Sequence, residues 1–313
     1  MNPVTAMKAS ITVMAAALLA LALSGCDAPD APAPQAEQPE PAQSSIRVSD
    51  WQQQHRQQFE AAAARWQQAL VTMDQEADQD SLDAARLALA DWYETFTAQT
   101  LLLNARACQL DQQALLERMD SWPLYPGYID AMPQWPESGL ISDPYLEMDR
   151  KTLRLQHGAT DAAEASLGFA AMLVVLNGSG DALRGLDHFQ GQDNNAPRRL
   201  RYLKLAGEQA VADYQSLSNS LPVSADNLDC ALSRIIQRHQ KLASSAVNDD
   251  ELVIPDVVRR TVNDRLLASL EQLPDSAASA WNESRPGLLD TLAASAEEGW
   301  GPLEAWQLRG DGE

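Results

Sequence analysis

An all-α fold is predicted by three features of this sequence. Apolar residues recur at three- and four-residue steps along most of the chain, which is the period of an amphipathic helix. Strand-like alternation of apolar and polar residues is absent over any useful length. A proline-rich segment from Trp122 to Tyr145 divides the helical pattern into an earlier and a later part. Together these features favour a helix bundle with an inserted loop.

Residues 1–25 are expected to be a secretion signal. Lys8 precedes an apolar run from Ile11 to Leu23, which is too short to span a bilayer comfortably but suits the apolar core of a signal peptide. The run ends at Leu23-Ser24-Gly25-Cys26, which resembles a bacterial lipobox. We therefore expect cleavage before Cys26 and attachment of a lipid to its thiol, so that the chain is membrane-anchored and faces the periplasm. The alternative is an ordinary signal peptide with an incidental cysteine.

Residues 26–45 are expected to comprise the lipidated cysteine and a disordered tether. The segment from Asp27 to Gln43 is rich in Pro, Ala, Gln and acidic residues and has no large apolar residue to bury. Asp27 resembles a signal that retains lipoproteins in the inner membrane of enteric bacteria, but other lineages read later positions. The sequence therefore leaves open which membrane holds the lipid.

The charge balance limits the partners of the helical domain, which is expected over residues 46–313. The chain has 44 acidic and 23 basic residues and a net charge of −21 at pH 7. Such a charge argues against nucleic acid and against a basic lipid-binding face. Two further cysteines, Cys108 and Cys230, lie in helical patterns. They form either a disulfide or two separate buried thiols, and the sequence favours neither.

Apolar stripes locate the helices. The first two stripes comprise Phe59, Ala63, Trp66, Leu70 and Met73, and then, at every seventh residue, Leu82, Leu89, Phe96 and Leu103. A third helix is predicted from Asp161, a candidate N-cap, to Asn177-Gly178, and a fourth from Pro197 onward. Gly207 in the fourth helix indicates close approach of a neighbouring helix. A stripe from Leu228 to Leu242 and segments 254–273 and 286–300 indicate later helices.

Two segments stand out from these stripes. Between Trp122 and Tyr145, five prolines and five aromatic residues alternate, which predicts an ordered loop that packs against the helices, because disordered segments are poor in aromatic residues. Long ordered loops are often functional. At the start of the fourth helix, Arg198, Arg199, Arg201 and Lys204 form a basic cluster. We interpret the cluster as a solvated face that offsets nearby carboxylates.

Local motifs support neither a metal site nor nucleophilic catalysis. The four histidines are His55, His157, His188 and His239, and none has a second histidine at helical metal-binding spacing. His239 lies on an apolar stripe and is interpreted as a core residue. His157, near the proline-rich loop, is the better candidate ligand. The chain has neither a nucleophile elbow nor a glycine-rich phosphate loop.

The order of several segments resembles the imelysin-like family, a bacterial periplasmic group associated with iron uptake. The resemblance begins with Trp122-Pro123-Leu124-Tyr125-Pro126-Gly127-Tyr128-Ile129-Asp130 and Ser138-Gly139-Leu140-Ile141-Ser142-Asp143. It continues with Leu167-Gly168-Phe169, an apolar helix to Asn177-Gly178, and Arg198-Arg199-Leu200-Arg201-Tyr202-Leu203. The resemblance implies two packed helical bundles with a cleft between them. Iron or haem is the implied cofactor or ligand, and a periplasmic iron-uptake or haem protein is the implied partner.

The family's hallmark, Gly-x-His-x-x-Glu, is degenerate in this sequence. Aligned through Gly168, the motif places Ala170 at the histidine and Leu173 at the glutamate. A methyl and an isobutyl group cannot ligate a metal ion or activate a water molecule. The resemblance therefore implies a non-catalytic member that binds a ligand or partner through Tyr128, Asp130, Ser138, Asp143 and His157. Asp130 and Ser138 fit equally well as turn formers.

Three functions follow from these observations. The leading hypothesis is a lipid-anchored, non-catalytic binding protein associated with iron acquisition. The first alternative is a metallopeptidase with a displaced metal site that uses His157 or His188 with nearby acidic residues. The second alternative is a structural tether or scaffold, in which the loop only seals the junction between helices.

Overall fold

The computed structural model describes residues 42–179 and 183–218, together with ten single residues: Asn227, Cys230, Ala231, Arg234, Ile235, Gln237, Arg238, Val258, Gly287 and Asp290. In this part the chain is all-α, as predicted, with no strand. Its helices are α1 (Ala42–Gln75), α2 (Gln79–Thr97), α3 (Thr100–Leu110), α4 (Gln113–Met119), α5 (Pro126–Ile129), α6 (Arg150–Gln156), α7 (Phe169–Asn177) and α8 (Ala196–Ser218), with a 3-10 helix at Leu186–Phe189. The first turn of α1 lies within the predicted tether. Cys26 and His239 lie outside the described residues, and the later predicted helices are described only at single positions.

The core forms where α1, α2, α7 and α8 pack against one another. The rings of Phe59 from α1 and Tyr214 from α8 stack with centroids 3.6 Å apart. Phe169, the first residue of α7, packs edge-on against Trp92 of α2 at 4.9 Å. All four rings are fully or almost fully buried, and burial of aromatic side chains is a large favourable contribution to folding.

The predicted close approach at Gly207 is confirmed. A Cβ atom at this position of α8 would lie 2.8 Å from the indole nitrogen of Trp66 on α1. Since real Cβ atoms do not approach other heavy atoms so closely, any larger residue here would push α8 away from α1. Glycine thus allows the two longest described helices to pack in contact.

Two predicted helix boundaries were wrong. The second stripe is not one helix, because α2 ends at Thr97 and Leu103 belongs to α3. At this break the Thr100 hydroxyl donates a 2.6 Å hydrogen bond to the Thr97 carbonyl, a local side-chain bond that competes with regular helix geometry. The third predicted helix, α7, begins at Phe169 rather than at Asp161.

The residues before α7 form a turn instead. The Asp161 carboxylate accepts a hydrogen bond from the Ala163 amide, and Glu164 accepts hydrogen bonds from the Thr160 amide and hydroxyl, which closes the turn on itself. Gly168 then has a φ of +101°, outside the helical region. Asp161 and Glu164, whose spacing predicted a helix N-terminus, therefore cap a turn.

The proline-rich segment is a loop, as predicted, apart from the single turn of α5. Its packing is uneven: Trp122 is buried, Tyr125 and Tyr128 are half-buried, and Trp135 and Tyr145 are 52% and 96% exposed. The first three rings are thus at least partly buried, whereas the last two are exposed. Among the described residues, no helix is long and apolar enough to cross a membrane.

Candidate functional site

The positions of the degenerate motif lie in the core. Ala170 and Leu173 are 0% and 1% exposed, on α7, which packs against α2 and α8. Gly168 is the N-cap of this helix, and a Cβ atom there would collide with the Arg118 carbonyl oxygen and the Ser121 hydroxyl. The glycine is thus explained by packing. The two hydrocarbon side chains fill the core and offer no polar atom.

A cavity of about 490 Å³ lies beside this part of the core, and we call it the tryptophan cavity. Its wall includes Phe96 and Leu103 on one side and Trp122 and His157 on another. The ring of Phe96 contacts that of Phe169 with centroids 5.1 Å apart, so the cavity is one residue layer from the start of α7. Small-molecule sites in proteins commonly have this size and this mixture of apolar walls and a few polar groups.

Asp120 organises the polar side of the tryptophan cavity. Its Oδ1 atom accepts hydrogen bonds from the Trp122 indole at 2.7 Å and from the Tyr93 hydroxyl at 3.0 Å. Its Oδ2 atom lies 2.9 Å from the guanidinium of Arg238, which stacks over the Trp122 ring at 4.0 Å from the ring centroid. Such a cation–π contact holds both groups in place. Asp120 and Arg238 therefore hold the Trp122 ring in the wall of the cavity, and the guanidinium covers one face of that ring.

His157 lies in the wall of this cavity as a neutral imidazole. Burial, and then the nearby charge of Arg118, lower its pKa from 6.5 to about 4. Its Nδ1 atom accepts a hydrogen bond from the Leu167 amide at 3.3 Å, so the ring hydrogen is on Nε2. In this tautomer neither nitrogen has a free lone pair for a metal ion. His157 is thus better suited to donate a hydrogen bond than to bind a metal.

Arg118 has a separate partner. Its Nε and Nη2 atoms donate hydrogen bonds of 2.8 and 2.6 Å to the two carboxylate oxygens of Asp213 on α8. The Asp213 carboxylate also accepts from the side-chain amide of Gln209. This forked pair joins α4 to α8 and leaves the remaining edge of Arg118 at the cavity wall.

Asp130 lies elsewhere, in a second charged cluster. It is 1% exposed, and its two oxygens accept hydrogen bonds of 2.7 and 3.0 Å from the Nε and Nη2 atoms of Arg199. The guanidinium of Arg184 lies 3.1 Å from the same carboxylate, and Asp193 accepts a 2.7 Å hydrogen bond from Arg199. Asp130 also bonds the Ala131 amide, so it is a turn former as well as an ion-pair partner.

The interpretation of the basic cluster as a solvated face was wrong for its central residues. Arg199 is 2% exposed, and although burial acts against its charge, Asp130 and Asp193 raise its pKa. Arg198 donates hydrogen bonds to the carbonyl oxygens of Leu140, Ile141, Asp143 and Leu146, and thereby fixes the end of the proline-rich loop. Only Arg201 and Lys204 of this cluster are exposed.

The remaining predicted ligand residues make contacts near the loop. The Tyr128 hydroxyl donates to the Gln156 carbonyl at 2.6 Å, and burial raises the Tyr128 pKa. Ser138 bonds the Trp135 carbonyl, and Asp143 accepts from the Tyr145 amide. Among the described residues, no hydrogen bond joins any two of the predicted ligand residues Tyr128, Asp130, Ser138, Asp143 and His157, and of these only His157 lines the tryptophan cavity. Asp120, Arg118 and Arg184 are the residues that the sequence analysis missed.

Cys108 of α3 and Cys230 are joined by a disulfide, with Cα atoms 6.2 Å apart. The sequence left open whether these cysteines form a disulfide or two separate buried thiols, and the structure has the disulfide. Among residues 42–179, 183–218 and the ten single positions, no three His, Cys, Asp or Glu side chains are arranged to hold a metal ion. His188, at 42% side-chain exposure, has its Nδ1 atom 3.2 Å from Asp193, which is already bound to Arg199.

Comparisons with known proteins add no family to this picture. No protein-family model matches the chain. No curated protein matches it either.

Proposed function

We propose that this protein is a lipid-anchored, periplasm-facing, non-catalytic member of the imelysin-like type, which binds a ligand or partner in the tryptophan cavity beside iron-acquisition machinery. The observation that carries the proposal is the contrast between two neighbouring regions. Hydrocarbon side chains occupy the motif positions Ala170 and Leu173 in the core, whereas polar and aromatic groups line a cavity next to that helix. A binding role keeps the cavity but does not require the motif.

The chemistry of the cavity supports binding of a ligand with acceptor atoms and an apolar body. His157 has a donor on Nε2, and the Arg118 guanidinium has donors that Asp213 does not occupy. Phe96, Leu103 and the part of the Trp122 ring that Arg238 leaves uncovered supply apolar surface. Iron complexes with organic chelators and haem both combine acceptor oxygens with larger ring or carbon frames, in agreement with the iron context of the resemblance.

The proposal is tested by titrating the full chain, purified in detergent, with haem and with ferric citrate, and following absorbance and tryptophan fluorescence. The exposed Ala114 lies at the cavity wall, so Ala114→Trp should fill the entrance without disturbing the core. We expect this variant to weaken binding at least about tenfold. Ala64→Trp, at an exposed position of α1, is the matched control and should leave affinity unchanged.

Two results would contradict the binding role. One is the absence of any interaction of the wild-type chain with haem, ferric citrate or a co-encoded periplasmic protein. The other is equal binding by Ala114→Trp and Ala64→Trp, which would locate the ligand outside the tryptophan cavity. Stoichiometric zinc or iron in the purified chain that is lost on His157→Ala would instead favour the metallopeptidase alternative.

The scaffold alternative is favoured by one observation. The side-chain hydrogen bonds of the loop residues Ser138 and Asp143 stay within the loop, and Arg198 of α8 binds three of the loop's carbonyl oxygens and that of Leu146 just after it. Under the scaffold alternative, the role of the loop is to close the end of the helices. Under this alternative, Tyr128→Ala and Asp130→Ala lower the free energy of unfolding and change no binding.

A further inference from the structure

A second cavity, of about 890 Å³, shares no lining residue with the tryptophan cavity and plays no part in the proposed function. We call it the arginine cavity. Its charged wall contains Arg184 and Arg199, with His188 and Asp193 beside them, and its apolar wall contains Met132 and Leu183. The volume is in the range typical of sites for small metabolites. One charged and one apolar wall would orient a ligand that has a polar end.

Arg184 is the unusual member of this wall. Its side chain is 8% exposed, its Nε atom has no hydrogen-bond partner, and its nearest carboxylate oxygen, Oδ2 of Asp130, is 3.1 Å away. Burial lowers the pKa of Arg184, although the charge of Asp130 opposes this effect. A buried guanidinium with unmet donors is unfavourable, since each unsatisfied group loses its hydration without compensation.

Asp130 cannot supply the missing acceptors. Its Oδ1 atom already accepts from Arg199 and from the Ala131 amide, and its Oδ2 atom accepts from Arg199. The contact to Arg184 occupies the last lone-pair site of a carboxylate, which has about four. Arg199, by contrast, is bound at Nε, Nη1 and Nη2. Of the two arginines, Arg184 therefore has the unused hydrogen-bonding capacity.

We infer that the arginine cavity binds the carboxylate of a small organic acid, which accepts hydrogen bonds from the free donors of Arg184 and places its apolar body against Met132 and Leu183. The planar fork of a guanidinium matches a carboxylate in shape and charge. A single negative charge suits the site better than a double one. Asp130 and Asp193 already balance the charges of Arg184 and Arg199, so the carboxylate is held by hydrogen bonds rather than by excess positive charge, and a doubly charged ligand is disfavoured further.

The inference is tested with three probes at constant ionic strength, using the full chain in detergent and isothermal titration calorimetry. Benzoate has the carboxylate and an apolar ring, benzamide is its neutral analogue, and inorganic phosphate is an oxyanion without an apolar body. We expect benzoate to bind at least about tenfold more tightly than benzamide or phosphate, since hydrogen bonds to charged groups contribute about 1.5–3 kcal/mol.

Variants locate the site. Arg184→Gln should weaken benzoate binding at least about tenfold, and Arg184→Lys should also weaken it, because an ammonium keeps the charge but loses the planar fork. Arg65→Gln, at an exposed arginine of α1, is the matched control and should bind as the wild type does. Circular dichroism checks that each variant is folded, and Arg184→Lys serves if Arg184→Gln is not. Ala114→Trp should keep benzoate binding, which separates this site from the tryptophan cavity.

Several outcomes would overturn the inference. Benzamide or phosphate binding as tightly as benzoate would show that a carboxylate is not what the site selects. Benzoate affinity unchanged in both Arg184 variants would place the binding elsewhere. If no probe binds to the wild-type chain, water molecules and not a ligand accept the hydrogen bonds of Arg184.

Discussion

Arg199 and Asp130 form a forked, buried ion pair that joins helix α8 to the proline-rich loop. The guanidinium Nε and Nη2 atoms lie 2.7 and 3.0 Å from the two carboxylate oxygens, and the side chains are 2% and 1% exposed. The two residues are 69 positions apart in the sequence. The pair therefore fixes the loop at the edge of the arginine cavity, and it is the first interaction to test.

Replacing Arg199 with Met should destabilise the protein strongly. The substitution removes the bonds to Asp130 and Asp193 and leaves a buried carboxylate with fewer donors, which typically lowers the free energy of unfolding by about 3–5 kcal/mol. Urea unfolding followed by circular dichroism measures the change. Lys204→Met, at an exposed position on the same helix, is the control and should change the stability by less than about 0.5 kcal/mol. Equal effects of the two substitutions would contradict the structural role of the pair.

Replacing Arg184 with Met should have a much smaller effect in the absence of ligand. Burial disfavours the charge of Arg184, its Nε atom has no partner, and Asp130 would keep both bonds to Arg199. Removal of Arg184 therefore does not leave Asp130 as an uncompensated buried charge, which is what makes the loss of one ion-pair partner strongly destabilising. We expect a change within about 1 kcal/mol in the same urea experiment. A loss as large as that of Arg199→Met would show that Arg184 is a structural residue and not one awaiting a ligand.

The sequence indicates the burial of Arg199 but not its partner. Arg199 lies three residues before Tyr202 and four before Leu203, so the period of α8 puts it on the same buried face. Because other basic residues surround Arg199 in the sequence, we interpreted it as part of a solvated face. No local pattern links it to Asp130, because an ion pair between distant segments depends on how the loop folds back. Arg184 carries even less signal, since it is an isolated arginine between α7 and the 3-10 helix.

The helical class followed from apolar periodicity, yet the helix ends did not. Asp161 and Glu164 have the spacing of a helix N-terminus, but Gly168 has a backbone conformation that no helix interior allows. Likewise, the seven-residue repeat through Leu89, Phe96 and Leu103 continues in phase across the break between α2 and α3. Both helices bury that stripe, so periodicity alone cannot detect the interruption.

Removal of the disulfide should lower the stability of the folded chain. The bridge between Cys108 and Cys230 spans a sequence separation of 122, and closure of a loop of roughly that length restricts the unfolded chain by about 4–5 kcal/mol in the chain-entropy model. We expect Cys108→Ser combined with Cys230→Ser to lose about 2–5 kcal/mol in urea unfolding. The control is the wild-type chain with dithiothreitol, which should approach the stability of the double variant. No effect of the reductant or the substitutions would contradict a bridge in the folded protein.

The pKa of His157 predicts a loss of stability in mild acid. The pKa is about 4 in the folded protein and 6.5 in the reference state, so between these values the unfolded chain binds a proton that the folded chain does not. The stabilisation by neutral His157 is therefore complete above about pH 6.5 and declines as the pH falls towards 4. The loss approaches about 3 kcal/mol at the lower limit.

The measurement compares urea unfolding of the wild type and of His157→Gln from pH 7.5 to 4. Glutamine does not titrate, so the difference in unfolding free energy between the two chains isolates this histidine from the many carboxylates. We expect the advantage of the wild type to shrink as the pH falls. A difference that stays constant with pH, or an imidazole that titrates near 6.5 by NMR, would show that His157 is not held neutral by its surroundings.

Introducing the histidine and glutamate of a Gly-x-His-x-x-Glu motif should destabilise this protein rather than give it a metal site. Ala170→His and Leu173→Glu introduce an imidazole and a carboxylate at positions that are 0% and 1% exposed within the core. The larger histidine must displace neighbouring side chains, and a buried carboxyl group without partners is unfavourable by several kcal/mol. We expect the double variant to lose more than about 3 kcal/mol in urea unfolding and to bind no stoichiometric zinc. Leu173→Met, which conserves volume and polarity, should lose less than about 1.5 kcal/mol. A stable double variant that binds zinc would instead show that the core around α7 can accommodate the two polar side chains and hold a metal ion.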